Sequence, residues 1–196
     1  MNNKLSNSSN NIKQRTEAND VFYTPKDLAI QLINEINYSK NEYLYDPFMG
    51  KGAFYDNFNH DLKEWAEIDQ GRDFFSFEPK HKIDWIISNP PFSILTDVLI
   101  HSTNICTKGF GYIMPTYSLS YSRINLMSLY GFQLSKIVFF QNPKSWEIGF
   151  QMCYVVFEKN FEFTKILPGK IAYSVMRHIS RGFFERGIVA NLTPMV

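Results

Sequence analysis

Apolar positions recur along this chain in two periods that alternate from one segment to the next. Leu28, Leu32, Ile33 and Ile36 follow helical spacing after Thr24-Pro25-Lys26-Asp27. There an N-cap hydroxyl, a proline at the first helical position and an early acid predict a helix running to about Asn37. Tyr43-Leu44-Tyr45-Asp46 then reads as a short strand, closed by the turn Pro47-Phe48-Met49-Gly50-Lys51-Gly52, with a short helix from Ala53. Residues 63–68 read as a second strand, and Asp73-Phe74-Phe75 as the opening of a brief third. Ile83-Asp84-Trp85-Ile86-Ile87-Ser88 is β-branched and aromatic, the mark of a buried strand. It stops at Asn89-Pro90-Pro91-Phe92, because two prolines forbid continuation. A helix over 93–105, a strand over 111–114, a helix over 118–130 and strands over 134–140 and 150–157 follow. The loop 141–149 joins the last two strands.

Strands alternating with helices predict an α/β fold with a mostly parallel central sheet. The last two strands are joined by a loop alone, which predicts an antiparallel edge strand. Three regions emerge. Residues 1–20 are rich in Asn and Ser and read as a mobile arm, 21–157 form the folded domain, and 158–196 form a short extension. That extension carries six Lys/Arg against three Asp/Glu, so it is locally basic.

Composition narrows the classes. At 196 residues, 44% hydrophobic and 20% charged, the chain suits one globular domain. No apolar run approaches the ~18 residues of a membrane span, and no signal peptide is visible, so a cytoplasmic location is expected. Cys106 and Cys153 are far apart and the four histidines show no ligand spacing, which predicts neither a disulfide framework nor a metal site. The net charge of +1 argues against a general polyanion binder, so any nucleic-acid role must rest on local chemistry. Aromatic residues reach 16%, mostly core, with a few free to stack on bases.

Three features fall at the carboxyl ends of predicted strands, where open α/β sheets bind ligands. In Asp46 to Gly52, the glycines let the backbone approach a ligand and the acid can accept from an ammonium. In the acidic set Glu67, Asp69 and Asp73, Glu67 and Asp69 compete to hold ribose hydroxyls. Asp73 could accept from an exocyclic amine while Phe74 packs on a purine. In Asn89-Pro90-Pro91-Phe92, a rigid turn aims one amide side chain and one carbonyl into a pocket beside an aromatic ring. A planar amino group needs just this: two acceptors and a face for its base.

With these residues in view, the chain resembles S-adenosylmethionine-dependent adenine-N6 DNA methyltransferases of the gamma motif order. Phe22-Tyr23-Thr24-Pro25 resembles their FYTP segment, which closes over the methionine part of the cofactor. Asp46-Pro47-Phe48-Met49-Gly50-Lys51-Gly52 matches their first cofactor motif, and Ser88 to Phe92 their catalytic motif. Gly111 to Pro115 resembles the strand that follows. The resemblance implies a Rossmann-like class I methyltransferase fold and S-adenosylmethionine as cofactor, with no metal. It implies that Phe22, Tyr23, Thr24, Pro25, Asp46, Phe48, Gly50, Gly52, Glu67, Asp73 and Phe74 bind the cofactor. Asn89, Pro90 and Phe92 would be catalytic.

The expected substrate is a flipped adenine in DNA. Phe92 would stack on one of its faces, and Trp146, from the 141–149 loop, could cover the other. Arg177 and Arg181 lie about one helical turn apart and offer a phosphate-contacting face. At most about 40 residues follow the last predicted strand, so target recognition is expected from that tail or from a partner subunit, or to be weak. Two alternatives stand beside this reading. One is the same chemistry on structured RNA, and the other is a non-catalytic scaffold subunit of a methyltransferase complex.

Overall fold

A computed structural model describes residues 22–160 and the strand 189–191. The arm expected over 1–20 and most of the 158–196 extension, with Arg177 and Arg181, lie outside the described residues. The described part is an α/β sandwich. It comprises α1 (Lys26–Ile33), β1 (Leu44–Asp46), β2 (Lys63–Trp65), β3 (Ile83–Ser88), α2 (Leu95–Ile105), β4 (Cys106–Pro115), α3 (Tyr121–Leu129), β5 (Phe132–Phe139), β6 (Met152–Lys159) and β7 (Val189–Asn191).

The seven strands lie in the order β2-β1-β3-β4-β6-β5-β7. Strands β2, β1, β3 and β4 run parallel. The antiparallel pair expected late in the chain is β5 with β6. Strand β6 is seated inward against β4, from Pro115 opposite Met152 to Gly109 opposite Glu158, and β7 adds antiparallel outside β5.

Both faces of the sheet are covered, which is why the strands read as nearly continuous apolar runs. Side chains still alternate with period two. Tyr45, Ile86, Tyr112 and Val155 pack on the face covered by α2 and α3, with Leu95, Val98, Leu99 and Met127. Leu44, Trp85, Ile87, Ile113 and Tyr154 point the other way, toward Ala29, Leu32 and Ile33 of α1. Lys136 of β5 donates to the carbonyl and carboxylate of Glu35 at 2.7 and 3.0 Å, fixing the turn after α1 to the sheet.

Helix α1 ends at Ile33, short of the Asn37 expected, and two further local expectations change. The segment opening at Asp73 makes a turn instead of a strand, because the amides of Ser76 and Phe77 both donate to the Asp73 carbonyl, at 2.9 and 2.7 Å. The helix expected from Ala53 shrinks to a single 3-10 turn, Tyr55–Asn57. Phe54 and Phe58 flank it and are both buried, so packing ends the turn before it can propagate. Among the described residues, no helix is long and apolar enough to cross a membrane.

Candidate functional site

Strand β1 connects to β2 on one side, and the chain then returns to place β3 on the other. The sheet therefore opens a crevice at the carboxyl ends of β1 and β3, the place where such sheets take ligands. A cavity of about 290 Å³ lies there, at the small end of the ~300–1,000 Å³ usual for ligand sites. Of the expected cofactor residues, Phe22, Tyr23, Thr24, Phe48, Gly50, Glu67, Asp73 and Phe74 line it, together with Asn89. Segments separated by up to 67 positions in sequence thus share one wall.

The turn after β1 forms one side. Met49 donates its amide to the Ala66 carbonyl at 3.0 Å, and Gly52 donates to Met49 at 2.8 Å. Gly50 and Gly52 have φ of +52° and +81°, the left-handed region that side chains disfavour. A Cβ on Gly52 would also sit 2.2 Å from a carboxylate oxygen of Asp56. Glu67, just past β2, accepts from the Gly50 amide at 2.6 Å and from Asp69 N at 3.4 Å. Of the two acids that compete in the sequence, Glu67 is the one anchored to the glycine turn, while Asp69 is exposed at the rim. Phe48 meets Phe74 edge-on at 5.1 Å, and Asp73 accepts from Phe75 N at 3.4 Å. Acids that accept from hydroxyl and amine groups, beside two rings for a purine, make an acceptor set that fits a nucleoside.

Asp46 belongs beneath this cavity and not in its wall, which corrects the expectation of direct ligand contact. It is fully buried and is absent from the lining. Its carboxylate accepts from Ser88 Oγ at 2.5 Å and from Tyr55 N at 3.2 Å. Burial pushes its pKa up to about 7, only partly offset by the Ser88 bond. Asp46 and Ser88 therefore tie the tips of β1 and β3 together at the crevice. The sequence quoted Ser88 within its motif but gave no sign of this link, which depends on strand pairing. Gly52 lies one layer back, beside a shallow depression it shares with Lys26 and Asp56. Pro25 and Pro90 likewise stand outside the cavity wall.

Asn89 carries the most specific geometry. Its Nδ2 donates to the Phe22 carbonyl at 2.7 Å and to Thr24 Oγ1 at 3.3 Å. With the amide nitrogen so committed, Oδ1 is buried without a hydrogen-bond partner. A buried acceptor left unmatched is costly and needs a reason. Thr24 was expected to cap α1. Instead Pro25 occupies the N-cap position with no side-chain cap bond, because the Thr24 hydroxyl accepts from Asn89.

Phe92 and Trp146 complete the neighbourhood from outside the cavity wall. The Phe92 ring stacks on Phe22, with centroids 5.8 Å apart and planes 16° from parallel. Trp146 is 5% exposed and its indole N–H donates to the Tyr23 carbonyl at 2.8 Å. It packs behind Phe22 at 6.1 Å, so the structure makes it a support for the 22–24 segment, not an open face for a base. Lys51 sits at the rim with its ammonium 4.1 Å from the Tyr23 ring centroid. Among the described residues, no cluster of three or more His, Cys, Asp or Glu could hold a metal ion.

No protein-family model matches the chain, and no curated protein matches it in sequence. Solved structures do. The 23S rRNA methyltransferase ErmE superposes with a TM-score of 0.54 at 10% identity, over 82% of this chain and 78% of that one. The M protein of the type I restriction enzyme EcoKI gives 0.53 at 12% identity over 73% of this chain. A protein described as a type I modification subunit from Vibrio vulnificus gives 0.51 at 12% identity over 96%. The chain spans only 45% of the EcoKI M protein and 59% of the Vibrio subunit. Sheet order, crevice and these superpositions agree on one conclusion: the chain has the Rossmann-like methyltransferase fold.

Proposed function

We propose that this protein transfers a methyl group from S-adenosylmethionine to the N6 amino group of adenine in DNA. The observation that carries the reading is the Asn89 amide, whose nitrogen is held by Phe22 O and Thr24 Oγ1 while Oδ1 stays buried and unmatched. An acceptor held open at that price suits a substrate N–H. Adenine N6 is a weak nucleophile because its lone pair is delocalised into the ring. Asn89 Oδ1 accepting one N6 hydrogen and the Pro90 carbonyl accepting the other localise that pair on nitrogen and aim it into the cavity.

The cofactor fits the same wall. Glu67 and Asp73 would hold its ribose and adenine amine, Phe48 and Phe74 its purine, and the Gly50 turn lets the backbone approach. When bound, its sulfonium supplies an electrophilic methyl group. Reaching N6 in a duplex requires flipping the base, at a few kcal/mol. The FYTP sequence and the likeness to two restriction-modification subunits favour DNA, and the spans of 45% and 59% leave room for a partner subunit to supply target recognition. A second reading is RNA as substrate. It is favoured by the superposition on ErmE, a 23S rRNA methyltransferase that the chain covers over 78% of its length.

The test is transfer of labelled methyl from S-adenosylmethionine to unmethylated DNA and to total RNA in parallel, with the product nucleoside identified by mass. N6-methyladenine in DNA is expected. Asn89→Ala should lower it by about 10²-fold or more, the loss typical of one transition-state contact. Label in RNA alone would move the substrate and keep the mechanism. Cofactor binding with no transfer to either would favour the scaffold role and sink the enzymatic reading.

A further inference from the structure

We infer that Arg72 is a clasp that sets the spacing of Glu67 and Asp73, and so controls affinity for the nucleoside half of the cofactor without touching it. This rests on the reading above, in which those two acids hold the ribose and the adenine amine. The acids stand on separate pieces of backbone. Glu67 lies just past β2, whereas Asp73 opens a turn whose carbonyl receives the amides of Ser76 and Phe77. Between them the chain reverses at Gly71, with φ of +77°. The Arg72 amide then donates back to the Glu67 carbonyl at 3.0 Å.

The Arg72 side chain joins the two pieces a second time. Its guanidinium carbon lies over the Trp65 ring, 4.0 Å from the centroid, and over the Phe77 ring at 4.2 Å. It also donates to Glu64 Oε1 at 2.9 Å. Glu64 and Trp65 are the last two residues of β2, and Phe77 closes the turn that Asp73 opens. One planar cation therefore ties the strand end before Glu67 to the far side of the Asp73 turn. An ion pair alone would hold little. Two ring contacts and a flat, forked donor fix the geometry in a way a lysine cannot copy. Arg72, Glu64, Trp65 and Phe77 all stand outside the cavity wall. Arg72 is thus a positioning residue that acts through the two acids, whose contacts tolerate only ~0.5 Å of displacement.

The test measures binding of S-adenosylhomocysteine and of 5′-methylthioadenosine, which keeps the nucleoside and lacks the amino acid. Calorimetry compares wild type with Arg72→Met at a temperature where circular dichroism shows both folded. Methionine keeps the apolar stem and loses the charge and the planar fork. Both ligands are expected to bind about tenfold more weakly, by the same factor, because the loss falls on the nucleoside they share. A variant that melts earlier but binds both ligands as wild type does has lost stability alone, and that result overturns the clasp while the cofactor reading stands. A loss confined to S-adenosylhomocysteine also overturns it, since the effect would then lie at the amino-acid end. Wild type that binds neither ligand sinks the cofactor reading, and the clasp falls with it. Should Arg72→Met not fold, Phe77→Leu removes one ring of the clasp. It is expected to weaken both ligands equally, by about threefold, and unchanged affinities there overturn the clasp too.

Discussion

Glu42, two residues before β1, and Asp46, the last residue of β1, are both buried, and their carboxyl groups are pushed in opposite directions. Burial opposes charge at both. At Glu42 it is outweighed by hydrogen bonds from Lys108 Nζ, from Ser39 Oγ at 2.7 Å and from Trp85 Nε1 at 2.7 Å. The pKa is drawn down to about 2. At Asp46 one hydroxyl and two amides are not enough, and it rises to about 7. The difference lies in the donors that each end of the strand offers its acid. Before β1, the Glu42 carboxylate is matched by three hydrogen-bond donors. The carboxyl end holds Asp46 poorly solvated and leaves Asn89 Oδ1 without a protein hydrogen-bond partner, like the hydroxyls of Tyr45 and Tyr154.

Paired substitutions test that contrast most strongly. Asn89→Ala should abolish nearly all transfer while shifting stability by less than about 1 kcal/mol, since it removes an unmatched acceptor along with two bonds. Glu42→Ala should do the reverse, costing about 2 kcal/mol through lost charge-assisted hydrogen bonds and sparing cofactor affinity. Urea melts and calorimetry on the two variants read both effects. A Glu42→Ala protein as stable as wild type would break the comparison.

The next effect is pH dependence. Glu42 has a folded pKa of about 2, below the ~4.3 of an unfolded glutamate. Its contribution is therefore present above that value and is lost as pH falls toward 2. Asp46 has a folded value of about 7, above the ~3.9 of an unfolded aspartate. The native state then binds the extra proton, so stability from this group is greatest below pH 4 and falls as pH rises toward 7. Asp46→Asn should flatten the profile between pH 4 and 7, and Glu42→Gln should flatten the acid limb below it. Stability measured across pH 2–8 checks both slopes.

Two smaller effects sharpen the picture at the site. Gly52→Ala places a side chain at φ +81°, against Asp56, and should cost about 1–2 kcal/mol of stability. It should also weaken S-adenosylhomocysteine binding through the displaced turn. Trp146→Phe removes the N–H bond to Tyr23 and should cost about 1 kcal/mol, with DNA KM rising more than S-adenosylhomocysteine affinity falls. Equal shifts in the two would assign Trp146 to packing alone.

Much of the fold was legible because its causes are local. A β-branched run closed by two prolines must be a buried strand with an abrupt end. The two glycines after Tyr43 to Asp46 signal a turn by their own conformational freedom, though Ala66 and Glu67 anchor it. Other expectations failed for the complementary reason. Thr24 carries every local sign of an N-cap, yet its hydroxyl accepts from Asn89, 65 positions away. Asp46 stands beside the glycines in sequence, but strand pairing turns it toward Ser88. Trp146 reads as an aromatic on a loop, and only the packed structure draws its indole onto the Tyr23 carbonyl.

The sequence by itself determined the alternation of strands and helices and the strand ends on which its candidate motifs stand, since short-range sterics and hydrophobic period dictate those. Only the tertiary structure decided which of them meet. It set the Phe22 carbonyl and the Thr24 hydroxyl on the Asn89 nitrogen, left Oδ1 unmatched, and laid Phe22 along Phe92. Such pairings depend on where the crossovers bring distant segments of chain, and no local pattern encodes that distance.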